Sequence, residues 1–147
     1  MPDLNSPWNS LISLLKRLVE TESPSHDKTA VDRVGVIVAA EARKLGAQVE
    51  IIPNQETGDH VLCNFPSRSG ARSQAMNAVE APDKPILLLC HMDTVFPVGT
   101  IDKTPFRQAD GKIFGPGVLD MKAGIVISLA AIEEAQRTGL NRPVTLL

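Results

Sequence analysis

Apolar positions recur first at intervals of three and four. Trp8, Leu11, Ile12, Leu15, Leu18 and Val19 fall on one helical stripe, with Lys16, Arg17 and Glu20 between them. Ser6-Pro7 reads as an N-cap followed by proline at the first helical position, and Pro24 prevents continuation. A second helix is predicted from about Asp27, burying Val31, Val34, Val38 and Leu45 and ending at Gly46. The period then changes to two. Val49 and Ile51 share a face in QVEIIP, and Val61, Cys63 and Phe65 do so in HVLCNF. The turn-forming run NQETGD between them predicts a hairpin.

Residues 67–84 show no period and read as an exposed connection with solvated arginines. ILLLC, residues 86–90, is apolar at every position, which fits a strand covered on both faces. Asp110-Gly111 predicts a tight turn. A helix carrying Ile125, Leu129 and Ile132 should run from Met121 to just before Gly139, and PVTLL begins a further strand. Alternating helices and strands argue for an α/β layered sheet with helices on both faces. The length of 147 residues suits a single domain spanning residues 1–147.

The net charge of −2 gives no electrostatic reason to expect a nucleic-acid or anionic membrane partner. No apolar run approaches the roughly 20 residues of a membrane span. The N-terminus has an acidic residue early and basic residues inside its apolar repeat, the reverse of a signal peptide, so a cytoplasmic location is expected. Cys63 and Cys90, in apolar runs, read as reduced core thiols.

Chemistry enters where ILLLC meets His91. In extended chain, His91 and Asp93 point to the same side with Cα atoms roughly 6.5 Å apart. They lie just past a strand's carboxyl end, where open α/β sheets place their ligands. A neutral imidazole can bind zinc through one nitrogen while the other N–H donates to a carboxylate, which fixes the tautomer. A histidine satisfied by a local carboxylate fits the same two residues. Asp120 follows Gly115-Pro116-Gly117, a stretch suited to a bent backbone. It could be a metal ligand or an ordinary helix N-cap.

HMDTV, followed about 24 residues later by GPGVLDMKAG, resembles the zinc-dependent ArgE/DapE and carboxypeptidase G family of metallopeptidases and deacylases. FPVGTIDKTPFR and the preceding helix–strand order are similar too. The resemblance implies a zinc-peptidase-like catalytic domain with two Zn2+ ions. In it His91 would ligate one ion, Asp120 would bridge both, and Asp93 would orient His91. A cis peptide between Asp120 and Met121 is also implied. The implied activity is hydrolysis of an amide or peptide bond by metal-activated water, of the glutamate carboxypeptidase type. An N-acyl-amino-acid deacylase of the acetylornithine or succinyl-diaminopimelate type is the alternative, and a non-catalytic fragment keeping only the fold is the rival. The implied substrate is a small peptide or N-acyl amino acid.

The family's Glu–Glu pair, its later ligands and its lid domain, which usually makes the homodimer, have no counterpart before Leu147. The expectation is therefore a truncated N-terminal portion of a catalytic domain, inactive alone and holding zinc weakly. Glu133-Glu134 reads as a solvated helix face, with Glu133 able to pair with Arg137, and not as a substitute base. GPGVLD lacks the third glycine of a dinucleotide-binding turn. Contiguous Ser25-His26-Asp27 cannot form a catalytic relay and more simply starts a helix. Lys122 could contact substrate or be a solvated first-turn lysine.

Overall fold

The computed structural model describes residues 7–67, 84–140 and 142–147. Ser6 and almost all of the 67–84 connection lie outside these residues. Helix α1, Pro7–Glu20, buries Ile12, Leu15, Leu18 and Val19, the stripe that the spacing predicts, while Trp8 at its start is exposed. Helix α2, Lys28–Lys44, is capped by Asp27, whose carboxylate accepts from the Ala30 N–H at 2.9 Å. Strands β1, Gln48–Ile52, and β2, His60–Phe65, form the expected antiparallel hairpin, with Val49 opposite Cys63 and Ile51 opposite Val61.

Strand β3, Ile86–Leu88, is followed by a short helix α3, Thr100–Lys103, and a hairpin of β4, Arg107–Ala109, and β5, Lys112–Phe114. Asp110 and Gly111 make its two-residue turn with positive φ at both positions, 51° and 70°. A kinked turn at Val118–Lys122, non-helical at Asp120 and Met121, leads into α4, Ala123–Thr138, and the chain returns as β6, Val144–Leu146. The main sheet has the order β1-β2-β6-β3, with β6 antiparallel to β2 and parallel to β3.

Val34, Val38 and Ala42 of α2 and Ile125, Leu129 and Ile132 of α4 meet Val61, Cys63, Phe65, Val144 and Leu146 of the sheet in one cluster. Leu15, Leu18 and Val19 bring α1 into the same cluster, and α1 packs on α4. The α/β layering holds, but the described helices cover one face only. Leu87 and Leu89 on the opposite face are 58% and 70% exposed, so ILLLC is not covered on both sides among the described residues. An all-apolar strand states its preference for burial without saying what supplies the cover. Cys63 is buried and reduced as expected, and burial pushes its thiol up to about 11, while Cys90 is only partly buried.

Phe65, the last residue of β2, is 1% exposed within this cluster. Phe65→Ala should lower the unfolding free energy by about 3–5 kcal/mol, measured by urea denaturation. A loss below 1 kcal/mol would show that β2 is not the floor of the core.

Candidate metal centre

His91 lies three residues past the end of β3, which pairs in parallel with β6, so it sits at the carboxyl end of both strands. Its position depends on residues between α1 and α2. The Thr94 N–H donates to the Ser23 carbonyl at 2.7 Å, and the Ser25 N–H to the Thr94 carbonyl at 3.0 Å. The Ser23 hydroxyl, fully buried, donates to the Met92 carbonyl at 2.8 Å. Residues 92–94 are therefore stitched to 23–25 on both sides of Asp93.

Asp120 reaches the same place from the other direction. Gly117 has φ 71°, and a Cβ there would lie 2.5 Å from the Thr94 side chain, so only glycine lets this bend come so close. Asp120 and Met121 then leave helical geometry, and the peptide bond joining them is cis, as the resemblance implies. Asp120 is not the N-cap of α4, which makes no side-chain capping bond at its start.

His91 and Asp120 converge. His91 Nε2 is 2.9 Å from Asp120 Oδ1, and His91 Nδ1 is 3.2 Å from Asp93 Oδ1 and 3.2 Å from the Asp93 carbonyl. Both ring nitrogens thus face oxygen acceptors, which a neutral imidazole with one N–H cannot fully satisfy. The doubly protonated ring can. Partial burial pulls the His91 pKa down, but the Asp120 hydrogen bond and the Asp93 charge outweigh it and hold the ring above the usual histidine value.

A cation on Nε2 in place of the proton suits the same arrangement, with Nδ1–H still donating to Asp93. Two ligand atoms on one tetrahedral zinc lie roughly 3.3 Å apart, within a few tenths of an ångström of the 2.9 Å observed. The imidazole–carboxylate donor set also suits zinc. Asp120's side chain is 85% exposed and His91's 46%, so an ion has access. The pair is only part of a site: among the described residues, no group of three or more His, Cys, Asp or Glu could hold a metal ion. Glu133 and Glu134 do not supply the rest. Glu134, rather than Glu133, pairs with Arg137, at 2.6 Å on the exposed face of α4.

A cleft of about 270 Å3 runs over His91, Asp93 and Asp120, walled by Val95, Phe96, Val118 and Leu119. A larger, mostly apolar cavity of about 610 Å3 adjoins His91 and Asp93 below it, between Val38 of α2, Ile125 of α4 and Leu146 of β6.

Two supporting residues go beyond what sequence reasoning found. Glu22 accepts from the backbone N–H of Gly99 at 2.7 Å and of Ile101 at 3.0 Å, holding the loop that follows the cleft. Lys122 is neither solvated nor aimed at substrate. It is 1% exposed, and its Nζ donates to the Leu18 carbonyl at 2.7 Å and the Thr21 carbonyl at 2.9 Å. Burial pushes its pKa down to about 8, against the opposing charges of Glu22 and Asp93.

Residues 87–147 match the family described as peptidase family M20/M25/M40. The chain is 29% identical over 134 residues to carboxypeptidase G2 of Pseudomonas sp. (strain RS-16), covering 90% of this chain and 29% of that protein. It is 26% identical over 153 residues to acetylornithine deacetylase of Edwardsiella ictaluri (strain 93-146), covering 98% of this chain and 36% of that protein. Among solved structures, human carnosine dipeptidase 1 superposes with a TM-score of 0.72 at 18% identity, over 94% of this chain and 31% of that one. The M20 family metallo-carboxypeptidase Sso-CP2 of Sulfolobus solfataricus does so at 0.66 and 20% identity, over 95% and 29%. The fold is shared with these solved structures, and the sequence similarity points to the same group of proteins. Over its C-terminal part the chain is thus similar to peptidase family M20/M25/M40. It spans 29% and 36% of the length of these two curated relatives.

Partial burial pushes the Glu22 carboxyl up, but the N–H groups of Gly99, Ile101 and Thr100 and the Lys122 charge outweigh it and hold it below the usual range. A carboxyl depressed on folding stabilises above its unfolded value, about 4.3, and that contribution is lost as pH falls through the folded value. Glu22→Gln should therefore cost roughly 1 kcal/mol at pH 7, and the gap from the native protein should close below about pH 4 as the carboxyl protonates. Urea midpoints across that range measure it. A gap that stays constant into acid would show that the Glu22 charge contributes nothing.

Proposed function

We propose that the chain is the N-terminal portion of the catalytic domain of a metal-dependent hydrolase that cleaves an amide or peptide bond. The observation that carries this reading is the 2.9 Å approach of His91 to Asp120 at the carboxyl end of parallel strands. The match of residues 87–147 to a peptidase family supports the reaction class. His91 and Asp120 would hold the metal, zinc by the chemistry of the donor set, and Asp120 has a second carboxylate oxygen with which to bridge a second ion. When bound, such ions lower the pKa of a coordinated water and polarise the scissile carbonyl.

The chain's own residues prepare that site. Asp93 accepts from His91 Nδ1–H, which would leave Nε2 free to take an ion in place of its proton. The peptide carbonyl of Asp93 shares this task at the same distance. Val95, Phe96 and Leu119 give the cleft an apolar wall. A carboxypeptidase-type substrate, a small peptide with a free carboxylate, is supported by the alignment to carboxypeptidase G2. An N-acyl-amino-acid deacylase is the second reading, supported by an alignment to acetylornithine deacetylase that covers 98% of the chain. Both reactions hydrolyse an amide next to an amino-acid carboxylate, so the metal chemistry is common to them.

Zinc affinity of the chain and of His91→Ala, measured by competition with a chromophoric chelator, tests the assignment. Removing the imidazole should weaken binding about tenfold or more, with the unfolding midpoint little changed because His91 is half exposed. Equal zinc affinity in the two proteins would refute His91 as a ligand.

A further inference from the structure

Lys122 is the one charged residue that is buried among the described residues. A lysine so enclosed must have its ammonium met by acceptors. Here they are carbonyls at the C-terminal end of α1, where the helix dipole favours a cation. Its Nζ points into the fold, and Lys122 lines neither the cleft nor the adjoining cavity. Its ammonium is therefore committed to carbonyls of the fold itself. Its backbone, however, closes the turn that carries Asp120: the Lys122 N–H donates to the Gly117 carbonyl at 3.0 Å.

The two halves of the candidate site share one support. His91 is carried by a segment stitched to Ser23 and Ser25. Asp120 is carried by a turn whose next-but-one residue is bonded to Leu18 and Thr21. Residues 18–25, the end of α1 and the strand-like exit from it, thus act as a common reference for both ligands. We propose that Lys122 is a positioning residue for the metal site, its ammonium clamping the Asp120 bend to the end of α1 and thereby setting the separation of Asp120 from His91. Methionine at this position would fill the same volume but make neither hydrogen bond. The bend would then be free to shift relative to His91, and a ligand pair displaced by even 1 Å binds a cation poorly.

The inference rests on His91 and Asp120 being the metal ligands. Its test uses Co2+ as the probe, whose visible absorption reports both affinity and coordination geometry, in the native chain and in Lys122→Met, Lys122→Gln and Ile132→Ala. Ile132 is 2% exposed on α4, ten residues beyond Lys122, and lines neither the cleft nor the adjoining cavity, so Ile132→Ala lowers stability while leaving both hydrogen bonds of the clamp in place. Lys122→Met should bind Co2+ about 10–100-fold more weakly with an altered spectrum, while Ile132→Ala binds as the native chain does. Lys122→Gln, which keeps one donor, should fall between, and it decides the matter if Lys122→Met does not fold. Native-like Co2+ affinity and spectrum in the Lys122 variants would overturn the proposal. So would an equal loss in Ile132→Ala, which would trace the effect to general stability. His91→Ala separates the two claims: if it too binds Co2+ like the native chain, the ligand assignment itself has failed, and if it alone loses binding, only the clamp has.

Discussion

An imidazole nitrogen and a carboxylate oxygen 2.9 Å apart, on residues separated by 29 positions, form the contact around which this fold is arranged. Neither side chain would hold that position in a free chain. His91 follows a strand that ends at Leu88, and Asp120 sits on a bend outside regular helical geometry. Each is exposed to solvent, so burial does not fix them. What fixes them is backbone anchoring on either side, and the anchors converge on the exit from α1.

That convergence explains several features that otherwise look unrelated. Ser23 is fully buried although serine has little to gain from burial, because its hydroxyl meets the Met92 carbonyl. Lys122 is buried because the carbonyls of Leu18 and Thr21 accept from its ammonium. Gly117 lets the bend lie against Thr94. Glu22 holds the loop before the β4–β5 hairpin by accepting two backbone N–H groups at the start of α3. The apolar core beneath, from Leu18 to Leu146, supplies a rigid base on which these polar contacts need not move.

Much of this was legible in the residues alone, where the signals are local. The helical stripe of α1, the Asp27 cap, the two-residue period of β1 and β2 and the Asp110-Gly111 turn each depend on neighbours in sequence, and each is present. The convergence of His91, Asp93 and Asp120 was expected only from the family resemblance, which joined motifs that spacing alone could not. Lys122 and Glu22 were not legible. A charged residue is solvated by default, and the acceptors that bury Lys122 lie more than a hundred positions earlier. The cover of β3 was misjudged for a related reason: its composition calls for burial on both faces, whereas the described helices all pack on the face of Val61 and Leu146.

The most direct test of the account is the location of a bound ion. Crystals of the chain grown with Zn2+ and measured across the zinc absorption edge would give its position from anomalous differences. The account requires a peak about 2.0–2.2 Å from both His91 Nε2 and an Asp120 carboxylate oxygen, with Asp93 still bonded to Nδ1. Zinc held by other side chains, with His91 and Asp120 left uncoordinated in the same crystal, would contradict it.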